Sequence, residues 1–210
     1  MPSIARATTL VAVIAAAVVI ATAGPASAKT KKCSTGGVTL AASEQSRVFS
    51  KAKSDDDPVY ACRYKTGKKV KLGTFGNCSD FLSVGLFRLA GPYVAFQSES
   101  CGLVAGEGSV KLVDLRTGQT KFSKAATPIP AMTMVDPDYG VRSLVLKANG
   151  SLAWVGRFED TSGPPNTNYF VQTKTTTLDT GATIAGGSLA LAGSTLYWLK
   201  GGTPFTATLS

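Results

Sequence analysis

The sequence holds 210 residues, with 22 Lys+Arg against 13 Asp+Glu for a formal net charge of +9, and no histidine. Without histidine, Ser-His and Cys-His catalytic dyads are excluded outright. The charge is lopsided: residues 29–71 carry 11 Lys+Arg and 4 Asp+Glu, whereas residues 72–210 carry 10 and 9, so a basic first quarter precedes a nearly neutral body.

The first 28 residues, MPSIARATTLVAVIAAAVVIATAGPASA, read as a secretory signal peptide cut after Ala28. One cation, Arg6, precedes an apolar run from Leu10 to Ala23, and Ala26-Ser27-Ala28 supplies a small-residue cleavage site. The run falls short of the roughly 20 residues needed to span a bilayer, so no membrane span is expected after cleavage. Residues 29–210 are then expected as one domain, secreted or associated with the cell envelope. Four cysteines follow: Cys33, Cys62, Cys78 and Cys101. An even number in an exported chain points to two disulfides. Spacings of 29, 16 and 23 contain no C-x-x-C pair, which argues against metal binding, and neither a cofactor nor a metal is expected.

Along the chain, short alternating runs and Gly-rich turns predict strands, with no stretch of helical periodicity. SEQSRVF at 43–49 opens the series. YACRYKTGKKVKLG at 60–73 reads as a hairpin with Tyr60, Cys62 and Tyr64 on one side and Arg63 and Lys65 on the other. After its Thr-Gly turn, Val70 and Leu72 oppose Lys69 and Lys71. Arg63, Lys65, Lys68, Lys69 and Lys71 together make a wet, cationic face. LAGPYVAF at 89–96, KANGSLAW at 147–154 and LAGSTLYW at 191–198 each run from a Gly turn into an apolar strand ending in an aromatic. CRYKTGKKV at 62–70, VDLRTGQTK at 113–121 and TTLDTGATI at 176–184 share a Thr-Gly pair with Tyr64, Leu115 or Leu178 three residues before the glycine. These segments predict outer hairpins.

Each unit is thus an antiparallel β-meander that buries both faces only by stacking on its neighbours. The Asp114–Gly118 motif D-L-x-T-G, partial at Leu178–Gly181, resembles the outer hairpin of secreted bacterial β-propeller repeats, and the Gly turn into an apolar-aromatic strand resembles their inner hairpin. The resemblance implies an all-β, small propeller-like stack of about four meanders over residues 38–210, and no activity. A β-sandwich is the alternative fold. The last unit has room for only three strands. Either residues 30–35 complete it, or the ring stays open and pairs with another molecule.

In such a meander the loops between second and third strands share one rim with the crossings between units. That rim gathers 10 of the 13 acids, and Asp55, Asp56, Asp57, Glu107, Glu159 and Asp160 form a candidate binding rim there. Lys65, Lys68, Arg116 and Lys147 fall on the opposite rim. Of the three connectivities that four cysteines allow, the same sorting predicts Cys33 with Cys62 and Cys78 with Cys101, although sequence alone does not choose among them.

Loop acids such as Asp136, Asp138, Glu159 and Asp160 offer carboxylate pairs for glycoside hydrolysis, but solvated surface explains them more simply. Asp55-Asp56-Asp57 reads as a solvated turn rather than a calcium site, and Trp154 and Trp198 as packing. The leading expectation is an exported, non-catalytic binding module whose partner is a protein or an anionic cell-envelope polymer. The alternatives are a carbohydrate or peptide hydrolase using rim carboxylates, and a structural protein adhering to the cell wall through Arg63, Lys65, Lys68, Lys69 and Lys71. Nucleic acid is the least favoured partner for an exported chain.

Overall fold

A computed structural model describes residues 32–33, 36–51, 57–75, 82–100, 107–128, 138–160 and 166–210. Residues 1–28, expected as a signal peptide, and Cys78 and Cys101 lie outside the described residues. The described residues form fifteen strands and no helix. The first meander is β1 (Val38–Ala42), β2 (Ser46–Ser50), β3 (Pro58–Arg63) and β4 (Lys69–Phe75). The second is β5 (Leu82–Ala90), β6 (Tyr93–Ser100), β7 (Glu107–Asp114) and β8 (Gln119–Ala125). The third is β9 (Asp138–Leu146), β10 (Leu152–Asp160), β11 (Asn166–Thr173) and β12 (Thr177–Gly181). The fourth has three strands, β13 (Ala190–Ala192), β14 (Thr195–Lys200) and β15 (Thr203–Thr208).

Within each meander, sequential strands pair antiparallel. The first two join into one eight-stranded sheet through a short parallel pairing, Thr74 with Ser83 and Phe75 with Val84. The third and fourth are separate sheets of four and three strands.

Strand alternation explains how these layers stack. Successive side chains point to opposite faces, so an inner layer must be apolar on both. On β6, Val94 and Phe96 join Val48, Val59 and Ala61 of the first meander, whereas Ala95 joins Leu144, Leu152 and Trp154 of the third. On β10, Leu152 and Trp154 face the second meander, while Ala153 and Val155 pack with Leu196 and Trp198 of the fourth. The result is three cores, each held between consecutive meanders. Trp154 is fully buried, and its indole Nε1 donates to the Ala126 carbonyl at 2.9 Å.

The Thr-Gly pairs of the first two meanders turn their outer hairpins by one device. Gly67 N–H donates to the Arg63 carbonyl at 2.8 Å and Gly118 N–H to the Asp114 carbonyl at 2.7 Å. Both glycines take positive φ, +72° and +81°, which any side chain would resist. The Thr66 and Thr117 hydroxyls each accept the N–H two residues on, both at 3.2 Å.

The third Thr-Gly pair breaks this pattern. Thr180 and Gly181 end β12, and the turn between β11 and β12 falls instead at Lys174–Thr176. There Thr173 Oγ1 accepts the Thr175 and Thr176 N–H groups at 3.4 and 3.1 Å, so a threonine turn replaces the glycine.

The faces of the first hairpin also differ from the alternation expected of it. Directly opposed residues share a face, and the pairs are Tyr60 with Lys71 and Cys62 with Lys69. Lys69 and Lys71 therefore stand with Tyr60 and Cys62 on the side away from the second meander. Arg63 stands on the other face, with Val59 and Ala61. Small residues at 59 and 61 let the second meander approach closely, which leaves the larger Tyr60 to the outer face.

β15 pairs only with β14 among the described strands. The Leu209 N–H donates to the Ser194 carbonyl at 2.8 Å, a register that points the backbone of Pro204 outward. Pro204 has no N–H to offer there, which blunts the edge. Lys32 packs its side chain beside Gly67, and Cys33 is bonded to Cys62, so this part of the chain lies against the first meander.

Candidate functional site

The first and third turns of the meanders meet along one rim, and cations tie them together. The Lys68 ammonium donates to the carbonyls of Thr117 at 2.6 Å and Arg116 at 3.4 Å, linking the outer turns of the first two meanders. Arg116 reaches the Tyr93 hydroxyl at 3.2 Å beside the first turn of the second meander. Lys147 donates to Ser194 Oγ and to the Leu209 carbonyl, both at 2.8 Å, spanning the third and fourth meanders.

Two acids are neutralised where they stand, Asp114 beside the outer turn of the second meander and Asp179 within β12. Asp114 is buried and accepts from Arg116 Nη2 at 2.7 Å, Nε at 3.0 and 3.1 Å, and the Arg116 backbone N–H at 2.9 Å. The Arg116 side-chain bond holds its carboxyl below the usual value, although burial pulls the other way. Burial also pushes Asp179 upward. Its bonds from Lys200 at 2.6 Å, Trp198 Nε1 at 2.9 Å and Thr180 N–H at 2.8 Å together outweigh that and leave it lowered.

The five cations of the first hairpin divide into three groups. Lys65 lies exposed in the turn, and Lys69 and Lys71 are exposed on the outer face. None of these three pairs with a carboxylate among the described residues. Lys69 sits 5.7 Å from the centre of the Phe49 ring, which stacks on Tyr60 at 5.8 Å. Lys68 is committed to the neighbouring turn. Arg63 is half-buried, with a buried Nε that makes no hydrogen bond. Arg47, which sequence reasoning did not single out, lies over Phe49 at 4.4 Å and donates to Thr39 Oγ1 at 3.0 Å and to the Gly36 carbonyl. With Lys69 it covers an aromatic that would otherwise face solvent. The disulfide Cys33–Cys62 is formed, with a Cα–Cα distance of 6.5 Å, and anchors the chain before β1 on this face.

The opposite rim holds the candidate acids. Asp55 and Asp56 lie outside the described residues. Asp57 immediately precedes β3, Glu107 begins β7, and Glu159 and Asp160 end β10, so the backbone brings these positions to the same ends of their sheets. Glu159 is ion-paired with Arg157 on the same strand.

A cleft of about 240 Å³ opens between the third and fourth meanders on the turn rim. Leu152, Leu178 and Leu209 give it an apolar floor, and Ser151, Thr175 and Thr208 bring hydroxyls to its wall. Lys174 belongs to the turn that lines it, but its Nζ turns toward the second meander, 5.9 Å from the centre of the Phe122 ring. Loss of solvent lowers the Lys174 amine from its ordinary value. Sequence reasoning missed this cleft. Its signal was the polar run Lys174-Thr175-Thr176, which also makes the threonine turn.

No family model matches the chain, nor does any curated protein or solved structure.

Proposed function

We propose that the chain is an exported, non-catalytic binding protein whose ligand is an anionic cell-envelope polymer. The observation that carries this reading is the outer face of the first meander. Lys69 and Lys71 stand exposed there, and Lys65 in the turn beside it, without acidic partners among the described residues, while Asp114 and Asp179 are paired locally. Cations spared from internal pairing and gathered at one end of a stack suit a repeating anion, whose bound counterions are released on contact. The Phe49 ring, stacked on Tyr60, holds the Lys69 ammonium on this face. The disulfide Cys33–Cys62 fits an oxidising compartment.

The scaffold is read as propeller-like. Supporting this, β5 lies against both β1 and β9, as first strands converging on a common axis would. Stacking in one sense, from the first meander to the fourth, supports it too.

The test is retention of the mature chain on isolated Gram-positive cell walls, with and without removal of their anionic polymers. Retention on intact walls that moderate salt releases, and its loss on stripped walls, is the expected result. Equal, salt-insensitive retention on both would overturn the reading in favour of a protein or neutral-glycan partner.

A further inference from the structure

We infer that the outer face of the fourth meander is a dimer surface, on which a second copy of this chain packs the same face about a two-fold axis. Each meander buries an apolar face by stacking on the next, and three cores join consecutive meanders. Among the described residues no core joins the fourth meander back to the first. The stack therefore has two ends, and the sequence finishes them differently. At the first end Arg47 and Lys69 cover the Phe49 ring, and Lys71 stands exposed beside them. That is a polar cap of the kind a terminal repeat needs to stay soluble. The fourth end carries no such cap.

Strand pairing fixes which residues face outward there. Leu196, Trp198 and Ala207 pack toward the third meander, so alternation turns Tyr197 and Leu199 away from it. Directly opposed residues share a face, which places Ala190 and Thr206 with Tyr197, and Pro204 with Leu199. All five are exposed, Tyr197 and Leu199 at 41% each, and none is charged. The one charged residue of β13 to β15, Lys200, turns inward to Asp179 at 2.6 Å. Charge then selects the occupant. The chain has a formal net charge of +9, so two copies repel unless they meet where neither carries charge. Fourth face on fourth face keeps the cations at the far ends, whereas fourth on first would bury Lys69 and Lys71 without partners. Size sets the strength. β14 and β15 run six residues each. At about 4.8 Å between strands and about 3.3 Å per residue, three strands cover roughly 300 Å². A standard interface takes about 800 Å² from each partner, so this dimer is weak and forms with rising concentration. The inference concerns the opposite end of the stack from Lys69 and Lys71 and does not depend on the polymer reading.

The test is analytical ultracentrifugation of the mature chain, disulfides intact, from about 5 μM to about 1 mM, a range that spans micromolar to millimolar dissociation constants. A reversible monomer–dimer equilibrium is the expected result, with no larger species, because a two-fold interface closes on itself. Leu199→Lys enters such an interface twice and sets two like charges against each other, so it should weaken dimerisation at least about tenfold. A thermal melt at the lowest concentration shows whether that variant folds. Thr206→Lys, on the neighbouring strand of the same face, makes the same test if it does not. Three results would each overturn the inference. One is a monomer throughout the range, which would leave the face to a partner of another kind. Another is growth into longer oligomers, as head-to-tail stacking of fourth on first faces would give. The third is undiminished dimerisation by a folded lysine variant.

Discussion

The Lys68 ammonium lies 2.6 Å from the Thr117 carbonyl, so the most basic hairpin is fastened by one of its own cations to the turn of the next meander. That cation is structural, whereas Lys65 and Lys71 make no such contact among the described residues. Lys68→Met should lower the thermal midpoint by about 2–4 °C, the effect of one modest hydrogen bond in a domain of this size. Lys65→Gln and Lys71→Gln, at exposed positions, should leave it within a degree or so, since surface changes away from such contacts cost little. Differential scanning calorimetry of the three variants checks this, and equal shifts for all of them would remove the distinction.

The disulfide Cys33–Cys62 closes a loop with a sequence separation of 29. Constraint of the unfolded chain by a loop of that length stabilises by about 3–4 kcal/mol. Urea unfolding of the Cys33→Ser/Cys62→Ser double variant should show that loss.

Gly156 is a point of close approach between the second and third meanders. A Cβ built there would lie 1.9 Å from the Ala126 carbonyl oxygen, the same oxygen that accepts from Trp154 Nε1 and, at 2.7 Å, from Gln172 Nε2. Backbone cannot move aside as a flexible side chain would, so Gly156→Ala should cost about 3 kcal/mol or prevent folding. Gly187, with nothing within 4 Å of the same built atom, should accept alanine with no measurable loss. Urea midpoints of the two variants make the comparison.

The meander order and the outer turns were legible in the sequence because each depends on local chemistry. A Thr-Gly pair turns the chain at 66–67 and 117–118, and alternation marks the strands on either side. The third Thr-Gly pair misled for the same reason. Thr180-Gly181 carries the right residues, but the Thr173–Thr176 turn upstream closes the hairpin first. The faces of β3 were illegible because both of its sides are partly apolar. Only packing against Val94 and Phe96 decides that Val59 and Ala61 turn inward and Tyr60 outward. The cleft between the third and fourth meanders left only the local trace of its 174–176 turn, since three separate segments, at 151–152, 173–178 and 208–210, build it.

Acid should weaken the fold through Asp114 and Asp179. Both carboxyls are held below their usual value in the folded chain, so their stabilisation is complete above that value and fades as the pH falls through the folded one. The stability gap between the wild type and Asp114→Asn should be widest at neutral pH and close below about pH 4. The Arg116 guanidinium is half exposed, so that gap is modest. Urea midpoints across the pH range give the gap directly, and a gap that widens toward low pH would contradict the assignment.

The central claim, that Lys65, Lys69 and Lys71 grip a repeating anion, is tested most directly by the salt dependence of binding to soluble polyphosphate. Each cation engaged on a single-stranded polyanion contributes about −0.7 to the slope of log Kobs against log salt. The Lys65→Gln/Lys69→Gln/Lys71→Gln variant, folded to the same thermal midpoint, should therefore show a slope shallower by about 2 than the wild type. An unchanged slope would contradict the claim.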